Sequence, residues 1–234
     1  MKTSLLFFAL LAASLTPAAA QTQPKTTAAQ AAPAGYHDML AATIQDIMST
    51  GDAVQLKELA SKMERAAAVA PQDWLPRYYQ SYALLIATFQ SKEDGDVKDK
   101  QLDQAETALQ QARKLGGDKS ELLVLQAYIY QARLSISPMM RSMQLSPKVN
   151  EALAAAKELN PGNPRIYLVQ ANNLYFTPKM FGGGAEAAKP VYDEAKARYA
   201  AFRPATPLAP SWGERQLMGR LKQYETAAST QASK

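Results

Sequence analysis

The chain has 234 residues, no cysteine, one histidine and a formal charge of +5. The lack of cysteine excludes disulfides, thiolate metal sites and a lipidated N-terminal cysteine together, and a chain of this size can bury a core without such staples. The charge is mild and its basic residues are scattered, which speaks for solubility and against a nucleic-acid partner.

In chain order, the first segment has secretory form. Lys2 supplies a positive start, Leu5 to Leu15 an apolar core, and Ala18-Ala19-Ala20 the small side chains a signal peptidase takes, so residues 1–20 read as a signal peptide cleaved after Ala20. The apolar run is about half of the roughly 20 residues a membrane span needs, and no later stretch qualifies. A periplasmic or secreted protein without a membrane span is expected. Residues 21–35 are Ala, Gln, Thr and Pro with a single charge, too polar to offset their ordering entropy, and read as a disordered leader. One helical domain is expected over 36–224, with a disordered tail over 225–234.

Within that domain one pattern occurs three times. Met63, Ala66, Val69 and Pro71 are spaced like Leu109, Ala112, Leu115 and Gly117, and like Leu153, Ala156, Leu159 and Pro161. The three-residue spacing sets these side chains on one helical face, and the Pro or Gly ends each helix. A second echo follows each terminator, at Gln80-Ser81, Gln126-Ala127 and Gln170-Ala171, and both echoes advance by the same 46 and then 44 residues. The small residue in mid-helix permits close approach of a neighbouring helix. Asp73, Ser120 and Asn163-Pro164 are suited to start the first helix of a pair, and Ser146-Pro147 to start a second.

These residues resemble the tetratricopeptide repeat, over residues 38–204, with copies at 38–71, 74–117, 120–161 and 164–204. The resemblance implies an all-α, right-handed α-solenoid of about four helix pairs. Two copies exceed the usual length of the repeat, and the fourth second helix, from Ala185 to about Arg203, keeps only Tyr192 and Ala195 of the spacing. Thr177-Pro178-Lys179-Met180-Phe181-Gly182-Gly183-Gly184 and Pro210-Ser211-Trp212-Gly213 are similar to segments of exported bacterial proteins with such repeats. Ser211 and Glu214 form a capping box, so a helix from Ser211 to Tyr224 is expected to close the last repeat.

Aligning the copies puts the surplus length between the two helices of a pair, as loops at Ser91 to Lys100, Ser137 to Ser146 and Thr177 to Gly184. Stacked pairs would set these side by side, making an edge with Met139, Met140, Phe181, Gly182, Gly183 and Gly184 a candidate for function. Asp94, Asp96 and Asp99 lack the spacing of a calcium loop, and the glycine triplet lacks the Gly-Lys-Ser/Thr ending of a phosphate loop. Met139, Met140 and Met143 have thioethers that suit Cu(I), yet methionines at this spacing commonly fill gaps between helices. With one histidine, His37, and no motif of paired carboxylates, no catalytic residue, metal site or cofactor is expected.

The first helices are rich in tyrosine and amides, and Tyr78, Tyr82, Tyr128, Arg165, Asn172 and Tyr175 are the candidate partner-binding residues if they line the concave groove, or core if they face inward. The expectation is an exported interaction or scaffolding module, without catalysis, that holds another protein or peptide. The alternative is a helical protein that binds a small ligand or a glycan.

Overall fold

The computed structural model describes residues 32–232. The expected signal peptide and most of the expected leader lie outside the described residues. Of the residues read as leader, Pro33 to Gly35 form a turn in which the Tyr36 amide donates to the Pro33 carbonyl, and Ala32 packs on the core.

All the regular structure described is helical. The helices are α1 (Tyr36–Ser49), α2 (Ala53–Val69), α3 (Leu75–Gln90), α4 (Gly95–Lys114), α5 (Lys119–Ile136), α6 (Pro138–Leu159), α7 (Pro164–Phe176), α8 (Ala185–Ala201) and α9 (Glu214–Ala232), with a single 3-10 turn at Lys179–Phe181. Each start has a local cause. Asp52, Asp94, Asp118 and Asn163 cap α2, α4, α5 and α7 by accepting from amides of the first turn, and Pro76, Pro138 and Pro164 sit where a missing amide proton costs nothing.

Each of α1 to α8 packs on its chain neighbour, while α3 also packs on α5 and α5 on α7. Contact between alternate helices is what a stack of helix pairs requires, so this is the α-solenoid architecture, with α9 laid against α8. Ser81, Ala127 and Ala171 are fully buried in α3, α5 and α7, where a larger side chain would push neighbours apart. The first two residues of the repeated spacing, Met63 with Ala66, Leu109 with Ala112 and Leu153 with Ala156, are core. The third is not, since Val69 and Leu159 are exposed.

Two of the three expected loops are helix. The surplus of the second pair lies mostly in α4, which begins at Gly95, and that of the third lies in α6, which begins at Pro138 and runs through Pro147. Pro147 removes one backbone bond, yet the helix continues because Leu145 and Val149 on either side are buried. At the other end α9 continues to Ala232, past the expected boundary at Tyr224. Thr226 Oγ1 and Ser229 Oγ there both bond back to carbonyls of the preceding turn. Among the described residues no helix is long and apolar enough to cross a membrane.

Candidate functional site

The concave face is filled by the chain itself. Between α8 and α9 the backbone crosses the first helices of the pairs and inserts Trp212, 1% exposed, between Tyr82 and Tyr128. The rings stack at 4.8 and 5.8 Å between centroids. Trp212 Nε1 donates to Tyr78 Oη at 2.8 Å, and Tyr199 Oη donates to the Trp212 carbonyl at 2.8 Å. Gly213 follows with φ at +107°, and a Cβ there would run into Tyr199 and Leu168, so both the turn and the close approach require glycine.

Beneath this plug lies a buried ion pair. Glu121 accepts from Arg165 Nε at 2.8 Å and from Arg165 Nη2, from Asn163 Nδ2 at 2.8 Å and from Tyr78 Oη at 3.1 Å. The Arg165 guanidinium also lies over the Phe202 ring, 4.6 Å from its centroid. Burial pushes the phenols of Tyr78 and Tyr82 well up and that of Tyr128 up to about 12.

This placement corrects the reading of the groove. Tyr78, Tyr82, Tyr128 and Arg165 are core residues under the closing segment, and Asn172 is buried, accepting from Tyr192 Oη at 2.7 Å. The physical reason is that a tyrosine body with a polar tip satisfies a wet interface and a hydrogen-bonded core equally well. Of the six, Tyr175 alone is not buried; it is partly exposed at the edge of the core.

Around Tyr175 the structure opens. The Arg220 guanidinium of α9 lies over the Tyr175 ring at 4.1 Å and beside Phe176 at 5.6 Å, and Phe176 is 72% exposed. Tyr224 and Tyr192 close the back of this cluster, with ring centroids 6.3 and 6.4 Å from Tyr175. Further along α9, Gln216 Nε2 donates to Tyr128 Oη at 2.8 Å, and Phe89 packs on the Tyr128 ring at 5.1 Å. Arg220 takes part in no ion pair among the described residues; Nη1 donates to Gln223 Oε1 at 2.8 Å. An arginine fixed on an aromatic face with no carboxylate partner offers a forked donor for an anionic group, beside apolar rings that suit a flat ligand.

Phe89, Phe176, Gln216 and Arg220 were not singled out in the sequence. The available signal was Gln216, Arg220 and Tyr224 at four-residue intervals, which sets an amide, a guanidinium and a phenol along one face of the closing helix.

The connection from α7 to α8, which follows Phe176 in the chain, presents Met180 and Phe181, 84% and 72% exposed. Phe181 therefore faces solvent. The glycine triplet has two separate reasons. Gly182 and Gly184 have φ of +80° and +101°, whereas a Cβ on Gly183 would collide with Thr177 and with the Leu174 carbonyl. Met139 and Met140 lie in the first turn of α6, not in a loop. Asp94 is a helix cap and Asp99 is bound to arginines, so neither acts as a free calcium donor. Among the described residues no three His, Cys, Asp or Glu side chains converge on a metal position, and His37 lies exposed on α1 against Tyr36.

No family model matches the chain, and no curated protein does. Among solved structures it is similar to the HusA haemophore from Porphyromonas gingivalis, with 34% sequence identity and a TM-score of 0.72, over 81% of this chain and 93% of that chain. That likeness overturns the expectation of a scaffold for another protein or peptide, because the similar protein is a carrier of a small ligand. The alternative, small-ligand binding, fits it better.

Proposed function

The chain belongs to the family of that haemophore, and from this premise we propose that it binds a flat, carboxylate-bearing ligand of the haem class at the cluster of Tyr175, Phe176 and Arg220. The observation that carries the reading is Arg220, a guanidinium stacked on Tyr175 without a carboxylate partner among the described residues, in a chain related to a haem carrier. In this reading Phe176, Met180 and Phe181 supply the apolar face for the macrocycle, and Arg220 takes a propionate through paired N–H donors. The protein acts by binding alone, without catalysis, and does so in the periplasm or outside the cell. The four helix pairs, read as tetratricopeptide-like, serve as the rigid frame.

Titration with haem, followed by the change in the ligand's absorbance, tests this. A charge-assisted hydrogen bond contributes about 1.5–3 kcal/mol, so Arg220→Ala should weaken haem about 10- to 100-fold. The same substitution should leave the affinity for the dimethyl ester of haem, whose carboxylates are masked, unchanged. Equal affinities of parent and variant for haem would remove Arg220 from the site. No saturable binding by the parent chain would remove the function.

A further inference from the structure

We propose that Met139, Met140 and Met143 form a site for a soft monovalent cation, Cu(I) or Ag(I), on the first turns of α6. The usual role of methionine is to fill irregular gaps in a core, and Met63 does so, fully buried in α2. These three do not, for they are 94%, 86% and 92% exposed. At about 100° per residue, positions 139, 140 and 143 fall within an arc of about 100°, so three thioethers leave the helix on one face.

The orientation of that face is fixed from behind. Arg141 projects to the opposite side and is held by Asp99, with Nη1 at 2.8 Å from Oδ1 and Nη2 at 2.6 Å from Oδ2, while Nη1 also donates to the Arg133 carbonyl at 3.1 Å. Asp99 is shared with Arg133 at 3.4 Å. The turn is thus clamped to α4 and α5, and the methionines are the part of it left to solvent.

The chemistry of the donors selects the ion. Thioethers are soft, neutral ligands that suit Cu(I), and three rotatable bonds in each side chain let sulfurs one turn apart converge on one centre. The chain has no cysteine, and its one histidine, His37, lies on α1. The partial positive charge at a helix start works against any cation, so binding here depends on soft bonding, and hard or divalent ions such as Zn(II) are excluded. Because thioethers carry no proton near neutrality, the site does not titrate as thiolate or imidazole sites do.

Two measurements on the chain lacking residues 1–20 test the site. With Ag(I), the methyl resonances of all three methionines should shift together and saturate at one equivalent, leaving that of Met63 unmoved. With Cu(I) under reducing conditions, the parent should draw the ion from a colorimetric Cu(I) chelator, and Met139→Leu/Met140→Leu/Met143→Leu should do so at least tenfold less well, while Met180→Leu behaves as the parent. Leucine preserves helix propensity and apolar surface. The proposal fails if the triple variant competes as well as the parent, if Met180→Leu loses as much, if only one methyl shifts, or if Zn(II) produces the same shifts. This site stands apart from the ligand cluster at Arg220, and neither result depends on haem.

Discussion

Glu121 concentrates more polar contacts than any other side chain under the closing segment. Its carboxylate accepts from two nitrogens of Arg165, from Asn163 and from Tyr78, in a setting where Arg165 is 1% exposed. Arg165 Nη1 has no hydrogen-bond partner, and the guanidinium instead lies over the Phe202 ring. The cation is therefore held in a poorly solvated place largely by one carboxylate. Breaking such a pair from one side costs about 3–5 kcal/mol, because a charge is left buried, whereas replacing both partners by apolar residues is often neutral. Glu121→Gln should lower stability by that amount in urea unfolding, and Glu121→Met with Arg165→Met should return it to within about 1 kcal/mol of the parent. Additive losses in the double variant would contradict a pair whose main cost is desolvation.

At the scale of elements, the closing segment is the part that turns a solenoid with an open concave face into one with a filled face. Trp212 is its anchor, stacked between Tyr82 and Tyr128 and bonded to Tyr78. Trp212→Ala should cost about 3–5 kcal/mol, the usual range for deleting a buried aromatic. Hydrogen exchange should quicken in α9 before it does in α3 and α5, because Trp212 anchors the segment that leads into α9, whereas α3 and α5 are also held by their neighbours in the stack. Uniform acceleration across all helices would show that α9 does not detach as a unit. The helix pairs were legible in the sequence because Met63 with Ala66, Leu109 with Ala112 and Leu153 with Ala156 repeat a local spacing that any helix must obey. The start of α6 was not, since Pro138 and Pro147 have the same local signature and only the burial of Leu145 and Val149 decides that the helix runs through the second. Nor was the path of residues 202–213, which has no repeat to set its register. The missing path is why Tyr78, Tyr82 and Tyr128 read as contact surface, and why Arg220, brought in on α9, went unread.

Over the whole molecule, these buried phenols have a collective consequence. Tyr78, Tyr79, Tyr82, Tyr128 and Tyr199 are all buried, and in each the loss of water raises the phenol above its ordinary value, to about 12 for Tyr128 and further for the other four. On the acid side Asp99 is held below the usual carboxylate range by its hydrogen bonds to Arg141. Its contribution is present above the ordinary aspartate range and lost as pH falls through its lowered value, but the pair is partly exposed and so weak. The tyrosines act at the other end. Below about pH 10 they are protonated in folded and unfolded chains alike, and their contribution is pH-independent. Above it the unfolded chain releases protons that the folded chain retains, so stability falls by about 1.4 kcal/mol per pH unit for each phenol, or about 7 kcal/mol for the five. Set against a typical stability of about 5–15 kcal/mol, that slope exhausts the fold within about two pH units. An alkaline titration should accordingly show the ionisation of these five phenols and the loss of helical circular dichroism rising together in one steep step above pH 10. These five ionising near pH 10 with the helices intact would mean that the aromatic face beneath Trp212 is open to water.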